Sequence, residues 1–162
     1  MIETRWSTTS DAADLAAAHR DAWRNAYLGI LPTPIIERAA GSRGPRFWRR
    51  LATRSGAPLV IALDGTLSGY ALLGPDRATA TGGEIYELYL RPECQGVGLG
   101  SRLFHEARRR LAEAGLRRLT IWCLTENRPG CRFYRRLGGT VTASARGGFG
   151  GVLVEKTAFS WA

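Results

Sequence analysis

The chain has 162 residues, of which 44% are hydrophobic and 23% charged, the size and balance of one soluble domain with a real core rather than of a disordered chain. No apolar run nears the roughly 20 residues that cross a bilayer, and the start, MIETRWSTTSDAADL, is polar and acidic where a secretion signal needs an apolar stretch. A cytoplasmic address without membrane contact is the expectation. The net charge of +9 comes almost wholly from arginine, Lys156 being the only lysine, and such a field draws polyanions: nucleic acid, anionic lipid or a phosphorylated cofactor.

The first element predicted is a helix through DAADLAAAHRDAWRNAYLG, with Asp11 to cap it and Leu15, Ala18, Ala22 and Tyr27 at helical spacing. In ILPTPIIERAA, Pro34 suits the first turn of a short second helix, and Arg46 to Arg54 reads as a further amphipathic turn or two. The period then changes. Pro58 to Leu63 and Leu67 to Leu73 are β-rich runs joined by Asp64-Gly65, a strong hairpin signal. EIYELYL, Glu84 to Leu90, is the third strand in this count. A helix from Leu99 to about Ala114 closes at Gly115, followed by a strand to Leu124 and a short helix from Pro129 to Leu137. The tail, Thr140 to Ala145 and Gly151 to Phe159, reads as a hairpin across a glycine-rich turn. With no internal repeat and no long linker, residues 1–162 are expected to form one mixed α/β domain around a central sheet.

Three cysteines, Cys94, Cys123 and Cys131, make an odd number without a CxxC pair or histidines at ligand spacing. Free thiols and no metal are expected.

The most informative stretch is LYLRPECQGVGLGS, Leu88 to Ser101, where a strand runs through glycines into a helix. Gly96, Gly98 and Gly100 allow a tight turn with close approach to a ligand, and the helix N-terminus beyond them presents unpaired N–H groups to an anion such as a pyrophosphate. There is no GK[ST] of a Walker loop, and the spacing is not GxGxxG. It is Q-x-x-G-x-G written as Gln95-Gly96-Val97-Gly98-Leu99-Gly100. Together with Glu84-Ile85-Tyr86 and Leu88 to Glu93 upstream, and Asn127, Phe133-Tyr134 and Leu137-Gly138 downstream, it resembles the GNAT superfamily of acetyl-CoA-dependent N-acetyltransferases. The likeness is specific from about Pro58 to Gly139.

The resemblance implies a mostly antiparallel twisted sheet flanked by helices and splayed between the fourth and fifth strands, EIYELYL being the fourth. It implies that Leu88 and Leu90 offer main-chain groups to the pantetheine arm of acetyl-CoA, that Gln95, Gly96, Val97, Gly98, Gly100 and Ser101 surround the pyrophosphate, and that Asn127 bonds the pantetheine or an ordered water. The arginines 102, 108–110, 132, 135 and 136 lie on the helices flanking that cofactor, and Arg102 or Arg132 can supply the phosphate charge. No metal enters.

Acetyl transfer from a thioester needs a neutral amine, and only about one alkyl ammonium in a thousand is neutral at pH 7. A carboxylate can take the proton, backbone N–H groups can hold the oxyanion, and a phenol can protonate the leaving thiolate. The resemblance makes Glu84 the preferred base, with Glu87 the rival, and Tyr134 the acid. Regular alternation sets 84 and 87 on opposite faces unless a bulge intervenes. Two other nucleophile readings fail: Cys123 and Cys131 flank the site, but no motif places His19 or His105 beside them.

The resemblance implies that the acceptor is a primary amine, walled by Trp23, Tyr27, Leu28, Leu31 and Phe149, with peptide N-termini, amino acids and small amine antibiotics all open. The positive field disfavours polycationic acceptors. A CoA-binding sensor on the same fold that has lost catalysis is the alternative, with a basic nucleic-acid-binding module well behind it, because the aromatics fall mainly at apolar-periodic positions. The closing hairpin leaves a homodimer open.

Overall fold

A computed structural model describes residues 1–79 and 81–162. Its centre is a seven-stranded sheet: β1 (Ile2–Trp6), β2 (Leu59–Leu63), β3 (Thr66–Pro75), β4 (Gly83–Leu90), β5 (Leu119–Leu124), β6 (Thr140–Phe149) and β7 (Val152–Trp161). The helices are α1 (Ala12–Tyr27), α2 (Thr33–Gly41), α3 (Pro45–Ala52), α4 (Leu99–Glu113) and α5 (Arg128–Arg136). In the sheet the strands run β1-β2-β3-β4-β5-β7-β6, antiparallel throughout except for the parallel pair β4–β5. This is the mixed α/β architecture expected, with one added strand. The missing first strand, β1, is what makes EIYELYL the fourth.

Local chemistry accounts for most boundaries. Asp64 and Gly65 both take positive φ, 49° and 81°, as a two-residue hairpin turn with the right twist requires. Gly115 and Gly138, at φ 84° and 89°, end α4 and α5 in the left-handed conformation that costs glycine least. Asp11 is an exception. It precedes α1 as expected, yet its carboxylate accepts from the Thr8 N–H at 2.7 Å and from Arg5 at 2.8 and 2.9 Å, not from the helix.

Two layers cover the sheet. On one face Leu99, Leu103, Phe104, Ala107 and Leu111 of α4 pack with Ile85, Leu119, Ile121 and Phe159, joined by Tyr134 of α5. On the other, Leu15 and Ala18 of α1 meet Trp48 of α3 and Tyr70, while Trp23, Tyr27 and Ile36 form a second group with Val154. Burying an aliphatic or aromatic side chain of this kind contributes roughly 1.5–3 kcal/mol each.

Gly139 stands where the family resemblance leads one to expect a phenylalanine. A Cβ there would lie 2.6 Å from the Trp161 ring, so Trp161 fills the space, and its indole N–H donates to Leu137 O at 3.0 Å.

Candidate active site

Strands β4 and β5 pair only at their starts, Gly83 with Leu119 and Glu84 with Thr120. Beyond these the strands part, and the main-chain groups of Ile85–Leu90 on the β5 side have no strand partner among the described residues. A cleft of about 870 Å³ opens there. One end is lined by Gln95, Gly96, Gly98, Gly100 and Ser101, the middle by Leu88, Leu90, Asn127 and Tyr134, and the other end by Trp23, Tyr27, Glu87, Trp122, Phe149 and Lys156.

At the glycine end, Gly96 and Gly98 have φ of 79° and 86°, and Gly98 is the residue from which α4 starts. Both positions have open space where a Cβ would sit, so their constraint is conformational. Gly100 differs. Its Cβ would press on Phe133 and Leu90 at 3.3–3.4 Å, so it keeps α4 close to the cleft wall. Positive-φ glycines opening onto a helix N-terminus leave N–H groups directed at the cleft, an arrangement suited to phosphate. Val97 is 68% exposed and does not line the cleft, so only its backbone belongs to the turn. Of the arginines singled out, Arg136 lines the cleft and Arg102 and Arg132 do not. Arg109 and Arg110 are engaged by Glu106, and Arg108 donates to Ala162 O.

A family model described as the acetyltransferase (GNAT) family matches residues 16–139. The chain belongs to the GNAT family. Its sequence is similar, at 27% identity over 99% of this chain and 93% of the other, to YuaI of Bacillus subtilis, an uncharacterized N-acetyltransferase. It is also 29% identical, over 83% of this chain and 78% of the other, to a probable N-acetyltransferase of Mycobacterium tuberculosis. The fold matches the PaiA N-acetyltransferase of Thermoplasma acidophilum, solved with coenzyme A, at a TM-score of 0.79 and 24% identity over 96% and 98% of the two chains. YncA of Salmonella typhimurium, a putative acetyltransferase solved with acetyl-CoA, matches at 0.74 and 21% over 99% and 93%.

In this GNAT chain the two glutamates of β4 have different surroundings. The β3–β4 register slips between Leu72, opposite Glu87, and Leu73, opposite Ile85, so Tyr86 is an extra residue in a bulge. Ile85 and Leu88, three apart, therefore both pack on the α4 side. Glu87 lines the cleft and receives Arg43 at 2.6 and 2.9 Å. Burial pushes its carboxyl above the usual range against the pull of that guanidinium. Glu84 is buried at the paired end, and Arg77 occupies it through its backbone N–H at 3.1 Å and guanidinium at 2.6 Å. It is not among the cleft-lining residues. The bulge sets both glutamates on one face, and what separates them is position along β4: Glu84 lies where β4 still pairs with β5 and beneath Arg77, Glu87 where the strands have parted.

Tyr134 lines the cleft from α5, and burial raises its phenol well above the ordinary value, which keeps the proton on it. Asn127 spends its side-chain oxygen on the Gly130 N–H at 3.2 Å, capping α5, which leaves its amide N–H₂ group for other partners. Burial, with Cys131 alongside, raises the Cys123 thiol too, so a thiolate nucleophile is disfavoured. His19 is a core residue: Nε2–H donates to Ala39 O at 3.1 Å and Nδ1 accepts from the Tyr70 hydroxyl at 3.0 Å.

At the far end, the Trp23 and Phe149 rings stack at 5.6 Å with 21° between planes, and Tyr27 lies 4.6 Å from Trp23. Leu31 is buried beneath them, while Leu28 is 75% exposed and takes no part in the wall. Trp122, Arg77 and Lys156 also line the cleft, and no motif in the sequence marks them. The alternation of LTIWCL, with Ile121 and Cys123 in the α4-side core, is the signal that sends Trp122 to the opposite face.

Proposed function

We propose that this chain transfers the acetyl group of acetyl-CoA to a primary amine by direct attack, both substrates being bound together. The observation that carries this is the parting of β4 from β5 between the Gln95–Ser101 turn and Glu87, with Tyr134 on the same cleft. The residues fit the cofactor: positive-φ glycines and a helix N-terminus suit its pyrophosphate, Arg136 adds charge, and unpaired main chain at Leu88 and Leu90 suits an amide-bearing arm. Structural relatives holding CoA or acetyl-CoA support the assignment. Bound acetyl-CoA supplies an activated acyl carbon and a thiol leaving group.

The remaining tasks fall to the chain. Glu87, directly or through water, takes the proton from the attacking amine as its nitrogen bonds to the acyl carbon. Unpaired N–H groups of β4 face the charge that develops on the acyl oxygen, where preorganised donors are worth most. As the carbon–sulfur bond breaks, Tyr134 gives its proton to the thiolate. Glu84 instead holds the Arg77 segment against the start of β4.

Calorimetry should detect acetyl-CoA binding in the wild type and in Glu87→Gln, with ATP failing to bind. Glu87→Gln should lower kcat by about 10²-fold or more and remove an acidic limb that lies above the usual carboxylate range, because the raised Glu87 must lose its proton to act. Glu84→Gln should lower stability more than kcat. Equal turnover by the Glu87 variant, or no binding of acetyl-CoA, would overturn the reading.

A further inference from the structure

The acceptor end of the cleft holds more than attack by an amine requires. Its rings come from three elements: Trp23 and Tyr27 from α1, Trp122 from β5 and Phe149 from β6. Its charges do not cancel. Of the charged residues lining it, Glu87 is bound by Arg43 and Arg77 is held by Glu84 outside the cleft, whereas Lys156 forms no ion pair among the described residues. Lys156 shares a face of β7 with Val154, which packs against Trp23 and Tyr27, and its register partner on β5 is Leu124 of the same cluster. The lone lysine of the chain therefore lies beside the rings, on the face of the sheet that also carries Glu87 and Tyr89.

From this, and resting on acetyl transfer with Glu87 as base, we infer that the acceptor is a free amino acid with a large apolar or aromatic side chain. Its amine meets Glu87, its carboxylate meets Lys156, and its side chain lies among Trp23, Trp122 and Phe149. Lys156 lines the cleft from a solvent-exposed position, where a charge-assisted hydrogen bond to a carboxylate is partly screened by water but still sets which way the acceptor lies. Flat rings give an apolar side chain large contact area. A polyamine brings a second ammonium to an end where Glu87, the carboxylate among its described lining residues, is already paired with Arg43. A peptide N-terminus brings no carboxylate next to its amine.

The test compares pairs that differ only in the carboxylate. With acetyl-CoA saturating and thiol release followed, L-phenylalanine and L-tryptophan are set against phenethylamine, tryptamine and phenylalanine amide, with spermidine and an alanine-initiated peptide alongside. The amino acids should exceed their decarboxylated and amide analogues in kcat/KM by about 10-fold or more, chiefly through KM. In Lys156→Met that ratio should collapse towards one, and in Lys156→Arg it should persist. Acetyl-CoA affinity measured by calorimetry should not change in either variant. If phenethylamine, spermidine or the peptide is the better acceptor, or if Lys156→Met keeps the ratio, the inference falls while acetyl transfer stands. If acetyl-CoA binds and no amino acid in the panel is acetylated, the inference falls too. Failure to bind acetyl-CoA removes both.

Discussion

His19 is neutral because it is enclosed. Its ring is 1% exposed, and burial lowers its pKa to about 4, with the Arg43 charge acting the same way and the Ala39 carbonyl opposing. In the unfolded chain the same group titrates near 6.5. Between those values the unfolded state binds the extra proton, so stability is lost as pH falls from about 6.5 to about 4, by up to about 3 kcal/mol. Glu87 acts with the opposite sign, since a raised carboxyl pKa favours the folded state as pH falls. The His19 share is therefore read by difference: denaturant midpoints of His19→Gln should fall less steeply between pH 7 and 4 than those of the wild type. Parallel curves would mean that the imidazole is not held neutral. Individual residues were legible in the sequence to the extent that a motif fixed them. Gln95, Gly96, Gly98 and Tyr134 reach the cleft as the motif implies. The contrast between Glu87 in the cleft and Glu84 beneath Arg77 was not legible, because it depends on where β4 parts from β5 and on the Arg77 contact, neither of which alternation reveals. Lys156 was invisible for a different reason: only the pairing of β7 with β5 brings it to the site.

At the scale of elements, the turn into α4 separates binding from folding. Gly98 has φ 86° and nothing within 4 Å of a Cβ, so a β-branched residue there meets backbone strain and no steric clash. Gly98→Val should cost about 1–2 kcal/mol of stability while acetyl-CoA binding becomes undetectable by calorimetry, because the N–H groups no longer converge. Gly147→Ala, in β6 with open space and an ordinary φ, should change neither. A Gly98→Val protein that binds normally would show that the turn geometry is not what holds the phosphates. Most helices and strands could be read from periodicity and from Gly, Pro and Asp punctuation. Strand β1 could not, since five residues at the start of the chain with mixed burial leave too few turns of the pattern. The hairpin is also longer than its apolar positions suggested. Gly147 and Gly148 look like turn in the sequence, yet they pair with Val154 and Leu153, and the turn itself is confined to Gly150 and Gly151. An exposed edge strand tolerates glycine because it has little side-chain packing to lose.

For the whole molecule, the element order announced a mixed sheet, but neighbouring strands in a sheet are chosen by long-range packing. The sequence carries a local mark for the β2–β3 turn and none for β7 lying between β5 and β6. The composition of the two strands explains the result: VLVEKTAFSW has buried residues to offer both neighbours and layers, whereas TVTASARGGF is exposed along most of its length and suits an edge. The parting of β4 from β5 has a further consequence. Two pairs of residues join the β1–β4 portion of the sheet to the β5–β7–β6 portion, so the amides facing the gap are shielded by no neighbouring strand. Their exchange with deuterated solvent should be fast in the free protein and should slow by at least about tenfold with acetyl-CoA bound, since an amide in a hydrogen bond exchanges only when that bond opens. The β2–β3 and β6–β7 ladders should be slow in both states. A ligand that protects the gap completes the sheet as a missing strand would, and makes the two portions open together.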